Sequence, residues 1–372
     1  MDPMPLAGQF CVTGDEARTA ARYPLTWVQC ASCSLTQVLE DVDDGAMFGQ
    51  YNYASSSVPG LVRHFEAYSA WLRARLGESE PRQVLEIGCN DGVLLSRLPS
   101  AWRRVGVDPS DVTARVPAGP LELVNAPFDA ALAREIPGSG GFDLVTGSNC
   151  LAHIHDLKDV FEGASRLLKS GGLFVLEVHD LGATLAGAQW DTIYHEHKVE
   201  WSVAALTNCL GPLGFAPVLV EHLALHGGLL RAVFRKEARA LANRVASDVD
   251  FTGLRQGYRG RRDAPLYRHL VGRFEAGARV VAYGAAGRAN VWLNQHPELR
   301  FEYIVDDAPL RANKFIPCVA TPIVPSPTVG AVPPDSILIT AWNHARDIRG
   351  KHPAYTGEWL QTFDLEPEVT HA

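Results

Sequence analysis

Val84-Leu85-Glu86-Ile87-Gly88-Cys89-Asn90-Asp91-Gly92 is the stretch of sequence that decides the fold of this chain. A predominantly apolar run at 84–87 leads into a turn that contains Gly88 and Gly92, and a second apolar run follows at 93–95. This order predicts a strand, a tight loop and a helix. The loop then lies at the carboxyl end of a parallel strand, where open α/β sheets bind their ligands.

The chemistry of this loop indicates the kind of ligand. Glu86 and Asp91 would repel a pyrophosphate, and the loop lacks the G-x-G-x-x-G pattern of dinucleotide-binding proteins. A second predicted strand, 104–108, ends in Asp108 about 20 residues after the loop, and an acid there accepts hydrogen bonds from both hydroxyls of a ribose. An acidic loop suits a cationic ligand without phosphate, and S-adenosylmethionine is such a ligand.

The predicted cofactor site is built around this loop. We expect Gly88 and Gly92 to let the backbone approach the ligand, because a Cβ would block it. We expect Asp108 to bind the ribose, with Gly88 and Asn90 beside the methionine end. The full predicted set is Glu86, Gly88, Asn90, Gly92, Asp108 and Asn149.

Length and composition limit the class of protein. The chain has 372 residues, enough for two or three domains, with 47% hydrophobic residues and a net charge of −8. The negative charge gives no basic surface for nucleic acid. No apolar run reaches about 18 residues, so we predict no membrane span. The N-terminus has no signal-peptide pattern, which predicts a cytoplasmic protein, and the absence of a coiled-coil pattern or an additional apolar helix predicts a monomer.

The cysteines indicate a possible metal site. Seven dispersed cysteines do not suggest a disulfide framework. Cys30 and Cys33 form a Cys-x-x-Cys pair, which is half of a zinc knuckle at a hairpin tip. The partner pair is incomplete, because Cys11 is followed at position 14 by Gly14. We predict that zinc, if bound, uses Cys11, Cys30 and Cys33, with Asp15 or a histidine as a fourth ligand. The alternative is a metal-free remnant.

The pattern of elements predicts three domains, at 1–66, 67–238 and 239–372. The central one is predicted to contain, in order, a helix at 66–76, strands at 84–87, 104–108, 121–124 and 142–146, a helix at 156–169 and a strand at 173–178. Alternating strands and helices imply a doubly wound parallel sheet. The last domain is predicted to begin with a polar helical stretch at 237–253 and to repeat the strand, glycine-turn and helix pattern at 279–288, with later strands at 301–306 and 336–340. This pattern therefore predicts a second Rossmann-like domain.

Several motifs together resemble one family, the S-adenosylmethionine-dependent C-methyltransferases of nucleotide-linked deoxysugars in antibiotic sugar pathways. The motifs are Pro24-Leu25 with Cys30-x-x-Cys33, Glu86-Ile87-Gly88-x-Asn90-Asp91-Gly92, Ala152-His153-Ile154, Tyr194-His195-Glu196-His197, His226-Gly227-Gly228-x-x-Arg231, Tyr283-Gly284-Ala285-x-Gly287, Val305-Asp306-Asp307 and Ala341-Trp342-Asn343. The resemblance implies a zinc-binding N-terminal domain, a central methyltransferase and a C-terminal Rossmann-like domain that helps hold the nucleotide sugar. The chain departs from the family at the incomplete cysteine pairs, at Arg288 (usually lysine) and at Leu229 (usually serine).

The resemblance implies a reaction and roles for individual residues. A base removes the C3 proton of a dTDP-4-keto-deoxysugar, and the resulting enolate attacks the sulfonium methyl group. His197 matches the usual candidate base. Tyr194 and His153 match groups around the sugar ketone, and Glu196 is expected to orient or tune one of them. The predicted substrate-binding residues are Tyr53, Ser56, His226 and Arg231.

Three alternatives stay open at this point. The C-terminal domain would bind NADPH in a bifunctional enzyme that also reduces the C4 ketone, with the turn 284–288 around the phosphate. An arginine at 288 suits a 2′-phosphate, whereas Asp306 at the end of the next strand favours a ribose contact or a vestigial site. Methylation at C5 is the second alternative, and a non-enzymatic binding protein with the same fold is the third.

Overall fold

The computed structural model describes residues 1–43, 45, 47, 54–78, 80–239, 244–247 and 249–363. In chain order the strands are β1 Trp27–Gln29, β2 Thr36–Val38, β3 Gln83–Ile87, β4 Arg103–Val107, β5 Glu122–Val124, β6 Phe142–Ser148, β7 Leu168–His179, β8 Val199–Glu200, β9 Phe215–Leu223, β10 Leu229–Lys236, β11 Val280–Tyr283, β12 Ile304–Val305, β13 Ile323–Val324, β14 Ser336–Ile339 and β15 Glu358–Gln361. They form three sheets, which confirms the predicted α/β class with two Rossmann-like units.

The helices connect these strands and cover the sheets. They are α1 Gly14–Arg18, α2 Pro59–Leu76, α3 Val93–Ser96, α4 Asp111–Ala114, α5 Leu132–Glu135, α6 Leu157–Leu167, α7 Leu181–Ala186, α8 Val203–Leu210, α9 Thr252–Arg259, α10 Pro265–Glu275, α11 Gly287–Asn294, α12 Thr328–Ala331 and α13 Ala345–Lys351. Short 3₁₀ helices lie at Ser55–Ser57, Leu151–His153, Trp190–Thr192, Gly211–Leu213, Leu225–Gly227 and Trp342–His344. Among the described helices, none has the length and apolarity needed to cross a membrane.

The central sheet has seven strands in the order β5-β4-β3-β6-β7-β10-β9. Strands β3 to β7 are parallel, as predicted, but β10 runs antiparallel to both β7 and β9. Helix α2 packs on one face, against Val84, Leu144 and Val175. Helices α6 and α8 pack on the opposite face. The sheet is therefore doubly wound, and its parallel strands end at one edge, where the turn after β3 lies.

Helix α2 corrects a predicted boundary. It begins at Pro59, seven residues before the predicted start, because a proline at the first helical position needs no N–H partner. Its buried face runs from Leu61 to Leu72. The predicted domain boundary at residue 66 therefore falls inside a continuous helix, and the central domain begins near residue 59.

The connection from α6 to β7 also differs from the prediction. The helix begins after Asp156, which accepts a hydrogen bond from the N–H of Asp159, but it ends at Leu167 and not at 169. Lys169, predicted as the basic last turn, instead donates to the Asp143 carboxylate at 2.6 Å. The strand begins directly at Leu168, with an irregular register before its regular pairing starts.

The N-terminal segment is not a self-contained domain. Its hairpin β1–β2 carries Cys30 and Cys33 at its tip, as predicted, but the third strand of this sheet is β8 from the central part of the chain. Met4 and Leu25 pack in the same core as the C-terminal sheet. This segment thus packs against both of the larger units.

The C-terminal sheet has five parallel strands in the order β13-β12-β11-β14-β15. The predicted strands at 279–283 and 336–340 are present, and the one at 301–306 is reduced to Ile304–Val305. The predicted helix at 237–253 was wrong, since its described residues up to 251 are not helical. Their backbone groups bond elsewhere: Val245 exchanges two hydrogen bonds with the Asn208 side chain.

Candidate active site

The turn after β3 is closed by the acid that ends the next strand. Asp108 accepts hydrogen bonds from the N–H of Asn90 at 3.0 Å and the N–H of Ser110 at 2.8 Å. Gly88 has a φ of 70°, and a Cβ there would lie 2.5 Å from the Cβ of Cys150. The glycine is thus required by the backbone conformation and by protein packing, and its expected contact with a ligand stays a prediction.

Three buried acceptors beside this turn lack hydrogen-bond donors. They are Glu86 Oε2, Asp91 Oδ1 and Asn149 Oδ1. Burial, followed by the negative charges of Asp108 and Asp91, raises the pKa of Glu86 well above its usual range. A buried acceptor without a donor costs about 1–3 kcal/mol. The site therefore fits a ligand that brings positive charge and N–H or O–H donors, as S-adenosylmethionine does.

The 3₁₀ helix Ser55–Ser57 lies over the same turn. The N–H of Ser55 donates to Asn90 Oδ1 at 2.8 Å, and the N–H of Ser56 donates to Asp91 Oδ2 at 3.0 Å. Ser56, predicted to bind substrate, thus contacts the cofactor turn through its backbone. Tyr53 lies outside the described residues.

The Tyr-His-Glu-His motif is a turn in which the N–H of His197 donates to the Tyr194 carbonyl at 3.0 Å. Tyr194 and His197 lie on one side of this turn, whereas His195 and Glu196 face the N-terminal segment. His195 Nε2 lies 2.8 Å from the Pro24 carbonyl, and Glu196 Oε1 accepts the N–H of Gly8 at 2.7 Å. The Glu196 carboxylate is therefore directed toward Gly8 of the N-terminal segment, and its predicted role in orienting or tuning a catalytic group stays a prediction.

His197 and Tyr194 form a directly bonded pair. His197 Nδ1 lies 2.9 Å from the Thr192 carbonyl, which can only accept, so Nδ1 carries the proton. Nε2 then has the lone pair and accepts the Tyr194 O–H at 2.5 Å. Burial, followed by the imidazoles of His179 and His153, lowers the pKa of His197 well below its usual range. His197 is thus an uncharged imidazole at neutral pH, the form a general base requires.

His153 has the same tautomer as His197. Its Nδ1 lies 2.7 Å from the backbone carbonyl of Glu196, so its lone pair is on Nε2. Burial lowers the pKa of His153 to about 4. The two imidazole centroids are 5.4 Å apart. His153 therefore lies beside His197 as an uncharged imidazole, and its predicted place around the sugar ketone stays a prediction.

The sequence analysis missed three residues behind His197. The ring of His179 packs edge-to-face on it at 4.6 Å, and Thr192 Oγ1 lies between His197 Nδ1 and Glu200 Oε1. Ligating atoms of His179, His197 and Glu200 come within 4.8 Å of one another, but both nitrogens of His197 already have protein partners, which disfavours metal binding. The position of His179 at the end of β7 was the available signal.

Arg231 has a structural position that corrects its predicted role in substrate binding. Its guanidinium donates twice to Glu177 Oε1, at 2.9 and 2.6 Å, and lies over the rings of Tyr68 and Trp71. His64 bonds the second oxygen of the same carboxylate at 2.9 Å. Arg231 thus belongs to a buried ion-pair network between α2 and the sheet.

His226 lies where the central and C-terminal units meet. It has a φ of 55°, and Gly227 and Gly228 after it also have positive φ. Arg288 Nη2 donates to the His226 carbonyl at 2.8 Å. Burial lowers the pKa of His226 to about 3. Strained backbone that a neighbouring domain holds in place is typical of a ligand site, so the predicted substrate contact of His226 stays a prediction.

The second glycine turn is filled by protein atoms. A Cβ on Gly287 would lie 3.0 Å from Tyr194 Cζ. Arg288 donates to Gln189 at 3.2 Å and lies 3.6 Å from the Asp191 carboxylate. Asp306 accepts from two backbone N–H groups and lies 3.1 Å from Arg311. Arg288 and Asp306, the groups expected to contact NADPH, are thus paired within the protein. The turn itself packs against Tyr194.

Cys11 is not part of the hairpin tip, which corrects the predicted zinc ligand set. Its backbone exchanges two hydrogen bonds with Phe315, and its thiol lies near Cys318. The predicted set of Cys11, Cys30 and Cys33 therefore does not come together.

The tip itself brings Cys30 and Cys33 near Cys209 of α8. Hydrogen bonds from the N–H groups of Cys33 and Ser32, followed by the charge of Arg244, lower the pKa of Cys30. Among the described residues, no three ligating atoms come within 4.8 Å of one another at this tip. The arrangement thus does not fit a tetrahedral zinc site, and a cation already lies beside the thiol.

Comparison with known proteins identifies the family of the chain. Family models match residues 62–220 as a methyltransferase domain and residues 230–363 as a C-methyltransferase C-terminal domain. The chain is 31% identical over 365 residues to C-methyltransferase NovU from Streptomyces niveus, which covers 92% of this chain and 86% of NovU. The chain belongs to the S-adenosylmethionine-dependent C-methyltransferase family. The predicted family is thereby confirmed, and this C-methyltransferase is an enzyme.

Other matches cover smaller parts of this C-methyltransferase. An uncharacterized methyltransferase from Schizosaccharomyces pombe is 36% identical over 140 residues, which is 36% of this chain and 50% of the relative. The solved PH0226 protein from Pyrococcus horikoshii OT3 is 18% identical with a TM-score of 0.41, over 51% of this chain and 98% of that one. A Burkholderia thailandensis 1,6-didemethyltoxoflavin-N1-methyltransferase, solved with S-adenosylhomocysteine, is 18% identical with a TM-score of 0.36, over 58% and 100%.

Proposed function

We propose that this C-methyltransferase transfers the methyl group of S-adenosylmethionine to C3 of a dTDP-4-keto-deoxysugar through an enolate, in the biosynthesis of a deoxysugar for an antibiotic. The observation that carries the proposal is the His197–Tyr194 pair, in which an uncharged imidazole has its lone pair on Nε2. Carbon methylation needs such a base, because the carbon nucleophile must first lose a proton. The likeness to C-methyltransferase NovU supports methyl transfer to carbon, and the sugar substrate rests on the resemblance of the motifs.

The cofactor is held, in this proposal, by the turn after β3. Asp108 binds the ribose hydroxyls, and Glu86 and Asn149 supply acceptors for donors of the methionine end. Positive charge beside Glu86 would favour its ionised form, which burial otherwise opposes. When bound, S-adenosylmethionine supplies an electrophilic methyl group on a sulfonium centre.

The protein has two tasks at the sugar. His197 Nε2 takes the C3 proton, which the adjacent C4 ketone makes acidic. Before this step Tyr194 must release its hydrogen bond to His197, which frees the lone pair on Nε2 and leaves the Tyr194 hydroxyl available to donate to the enolate oxygen. Donors placed at a developing oxyanion stabilise it most when water is excluded, and Tyr194 packs against Gly287, where an added Cβ would lie 3.0 Å from Tyr194 Cζ. A cytoplasmic location and a monomeric state stay predictions.

The test separates proton removal from methyl transfer. His197→Asn keeps size and polarity but cannot accept a proton at neutral pH. We expect kcat to fall by about 10²–10⁴, the usual contribution of a positioned base, with unchanged affinity for S-adenosylhomocysteine. The variant is also expected to stop exchanging the C3 hydrogen of a 4-keto sugar with deuterated water when no methyl donor is present.

Two comparison variants decide between the candidate groups. Tyr194→Phe is expected to slow the exchange without abolishing it, because it removes a donor and not the base. His153→Asn is expected to have a smaller effect than His197→Asn. If exchange survives in His197→Asn and vanishes in His153→Asn, the base is His153, which has the same tautomer. Nuclear magnetic resonance of the methylated product distinguishes C3 from C5.

A further inference from the structure

Two cysteines at the tip of the β1–β2 hairpin take no part in the proposed methyl transfer and do not fit a zinc site. The tip is a tight turn, in which the N–H of Ser34 donates to the Cys30 carbonyl at 2.9 Å and Ser34 has a φ of 67°. This turn brings the thiols of Cys30 and Cys33 into hydrogen-bond contact. Two adjacent thiols that are not shared with a metal can be oxidised to a disulfide.

Cys30 lies at the wall of a cavity that opens to solvent. The cavity has a volume of about 470 Å³, and Gln29, Arg244 and Ser247 line it together with Cys30. Among the described residues, Cys33 does not line this cavity, although both cysteines are half-buried. A small molecule that enters the cavity therefore meets Cys30 before it can meet Cys33.

The groups around Cys30 favour its thiolate, which is the form that attacks a disulfide. The N–H of Ser32 donates to Cys30 Sγ at 3.4 Å. Arg244 donates to the Ala31 carbonyl at 2.5 Å, which holds its positive charge at the same turn. An arginine also attracts carboxylate groups, so the cavity suits a molecule that carries negative charge beside a disulfide bond.

Cys33 is placed to complete a disulfide with Cys30. Its thiol is hydrogen-bonded both to Cys30 and to Cys209 of α8, so it lies between them. Cys30 and Cys33 belong to one short turn, whereas Cys209 belongs to a helix that packs in the core of the central unit. A reaction that starts at Cys30 therefore has Cys33 as the second thiol in contact.

We propose that the hairpin tip is a site of thiol–disulfide exchange, where Cys30 and Cys33 form a reversible disulfide by reaction with a small disulfide compound that carries carboxylate groups. Cys30 is the attacking residue, and Cys33 is the residue that resolves the mixed disulfide. This exchange does not depend on the proposed methyl transfer.

The exchange balances in atoms and electrons. The Cys30 thiolate attacks one sulfur of the small disulfide RSSR, whose S–S bond breaks as a Cys30–S–S–R bond forms and RS⁻ leaves. Cys33, after losing its proton, attacks the Cys30 sulfur, which forms the Cys30–Cys33 disulfide and releases the second RS⁻. The protons lost by the cysteines convert both RS⁻ groups into thiols. Two cysteine thiols are thereby oxidised, and one disulfide is reduced to two thiols.

The direct test uses glutathione disulfide, which is negatively charged, as the probe. The reduced full chain is incubated with the probe, the remaining thiols are alkylated, and peptide mapping by mass spectrometry locates any disulfide. We expect a disulfide between Cys30 and Cys33 that dithiothreitol reverses. Unchanged free thiols at the tip would overturn the exchange site, and so would a disulfide between Cys33 and Cys209 in its place.

Single variants separate the two steps. In Cys33→Ser the reaction is expected to stop at a mixed disulfide between Cys30 and one glutathione, because the resolving thiol is missing. In Cys30→Ser the tip is expected not to react. Cys209→Ser is the matched control, since it removes the other thiol in contact with Cys33 and should keep the Cys30–Cys33 disulfide. An unmodified Cys30 in Cys33→Ser would overturn the assignment of the attacking residue.

The charge of the probe tests the role of the cavity. Arg244→Gln is expected to slow the reaction with glutathione disulfide about fivefold, the effect in water of one charge about 4 Å away. The reaction with cystamine, a positively charged disulfide, should not be slowed. Equal slowing with both probes would refute the preference for carboxylates.

Metal analysis distinguishes exchange from zinc binding. One zinc ion per chain that is lost in Cys30→Ser would overturn the exchange site, because the thiols would then be metal ligands. If Cys30→Ser does not fold, the rates of alkylation of the wild-type cysteines decide. The peptide that contains Cys30 is expected to be alkylated first, and slower alkylation of Cys30 than of Cys209 would contradict its role as the attacking thiol.

Discussion

Asp108 offers a prediction whose magnitude follows from the structure. Its carboxylate accepts two backbone N–H bonds, from Asn90 and Ser110, and in the proposed function it also accepts two ribose hydroxyls. A hydrogen bond to a charged group contributes about 1.5–3 kcal/mol. Asp108→Ala is therefore expected to weaken binding of S-adenosylhomocysteine by about 3 kcal/mol, or roughly a hundredfold, measured by titration calorimetry.

The second Rossmann-like unit supplies a matched control. Asp306 accepts the N–H of Ala285 at 2.7 Å and the N–H of Ala308 at 2.8 Å, the same two contacts that Asp108 makes in its own turn. Asp306→Ala should lower the melting temperature at least as much as Asp108→Ala does, because it loses two bonds that close a turn and the ion pair with Arg311. It should leave the affinity for S-adenosylhomocysteine unchanged.

The comparison separates loop damage from loss of a ligand contact. Equal affinities in Asp108→Ala and Asp306→Ala would refute the ribose assignment, whatever happens to stability. If Asp108→Ala does not fold, Asp108→Asn is the replacement, since it keeps one acceptor for the backbone. The affinity of Asp108→Asn for S-adenosylhomocysteine should still fall, because an amide has one acceptor oxygen and the carboxylate has two.

Three further predictions concern other parts of the molecule. Gly287→Ala is expected to displace Tyr194 by a few tenths of an ångström and lower kcat by about tenfold with cofactor affinity unchanged, whereas Gly272→Ala, in open space in α10, should keep full activity. The fold is expected to lose stability as the pH falls from 6.5 to 4. Burial lowers the pKa of His296 from 6.5 to about 4, so in this range the unfolded chain binds more protons at that residue than the folded chain does. His296→Phe should therefore flatten the decline of the melting temperature with falling pH. Cys11→Ala should leave the metal content by mass spectrometry at the wild-type value, and a loss would show that Cys11 is a ligand after all.

Much of the architecture follows from local sequence pattern. Apolar runs of four to eight residues that end in glycine turns form buried parallel strands, and the acids that end the second strand of each Rossmann-like unit, Asp108 and Asp306, close the turn of the strand before. Where a local signal was misread, a longer-range contact prevailed. Lys169 pairs with Asp143 and does not extend α6, and the backbone of Val245 bonds Asn208 instead of continuing a helix.

The sequence by itself determined that Tyr194, Glu196 and His197 lie together in one turn, and the tertiary structure decided which of their atoms face the site and which other residues surround them. Tyr194, Glu196 and His197 are adjacent in the chain, yet the turn directs Glu196 toward Gly8 and leaves only its carbonyl to orient His153. Thr192, His179 and Glu200 share no recognisable motif, because their contacts come from the end of β7, a 3₁₀ helix and β8 meeting in space. Side-chain direction at such a junction depends on what packs against it, and Tyr194 packs against Gly287, which lies in the other Rossmann-like unit.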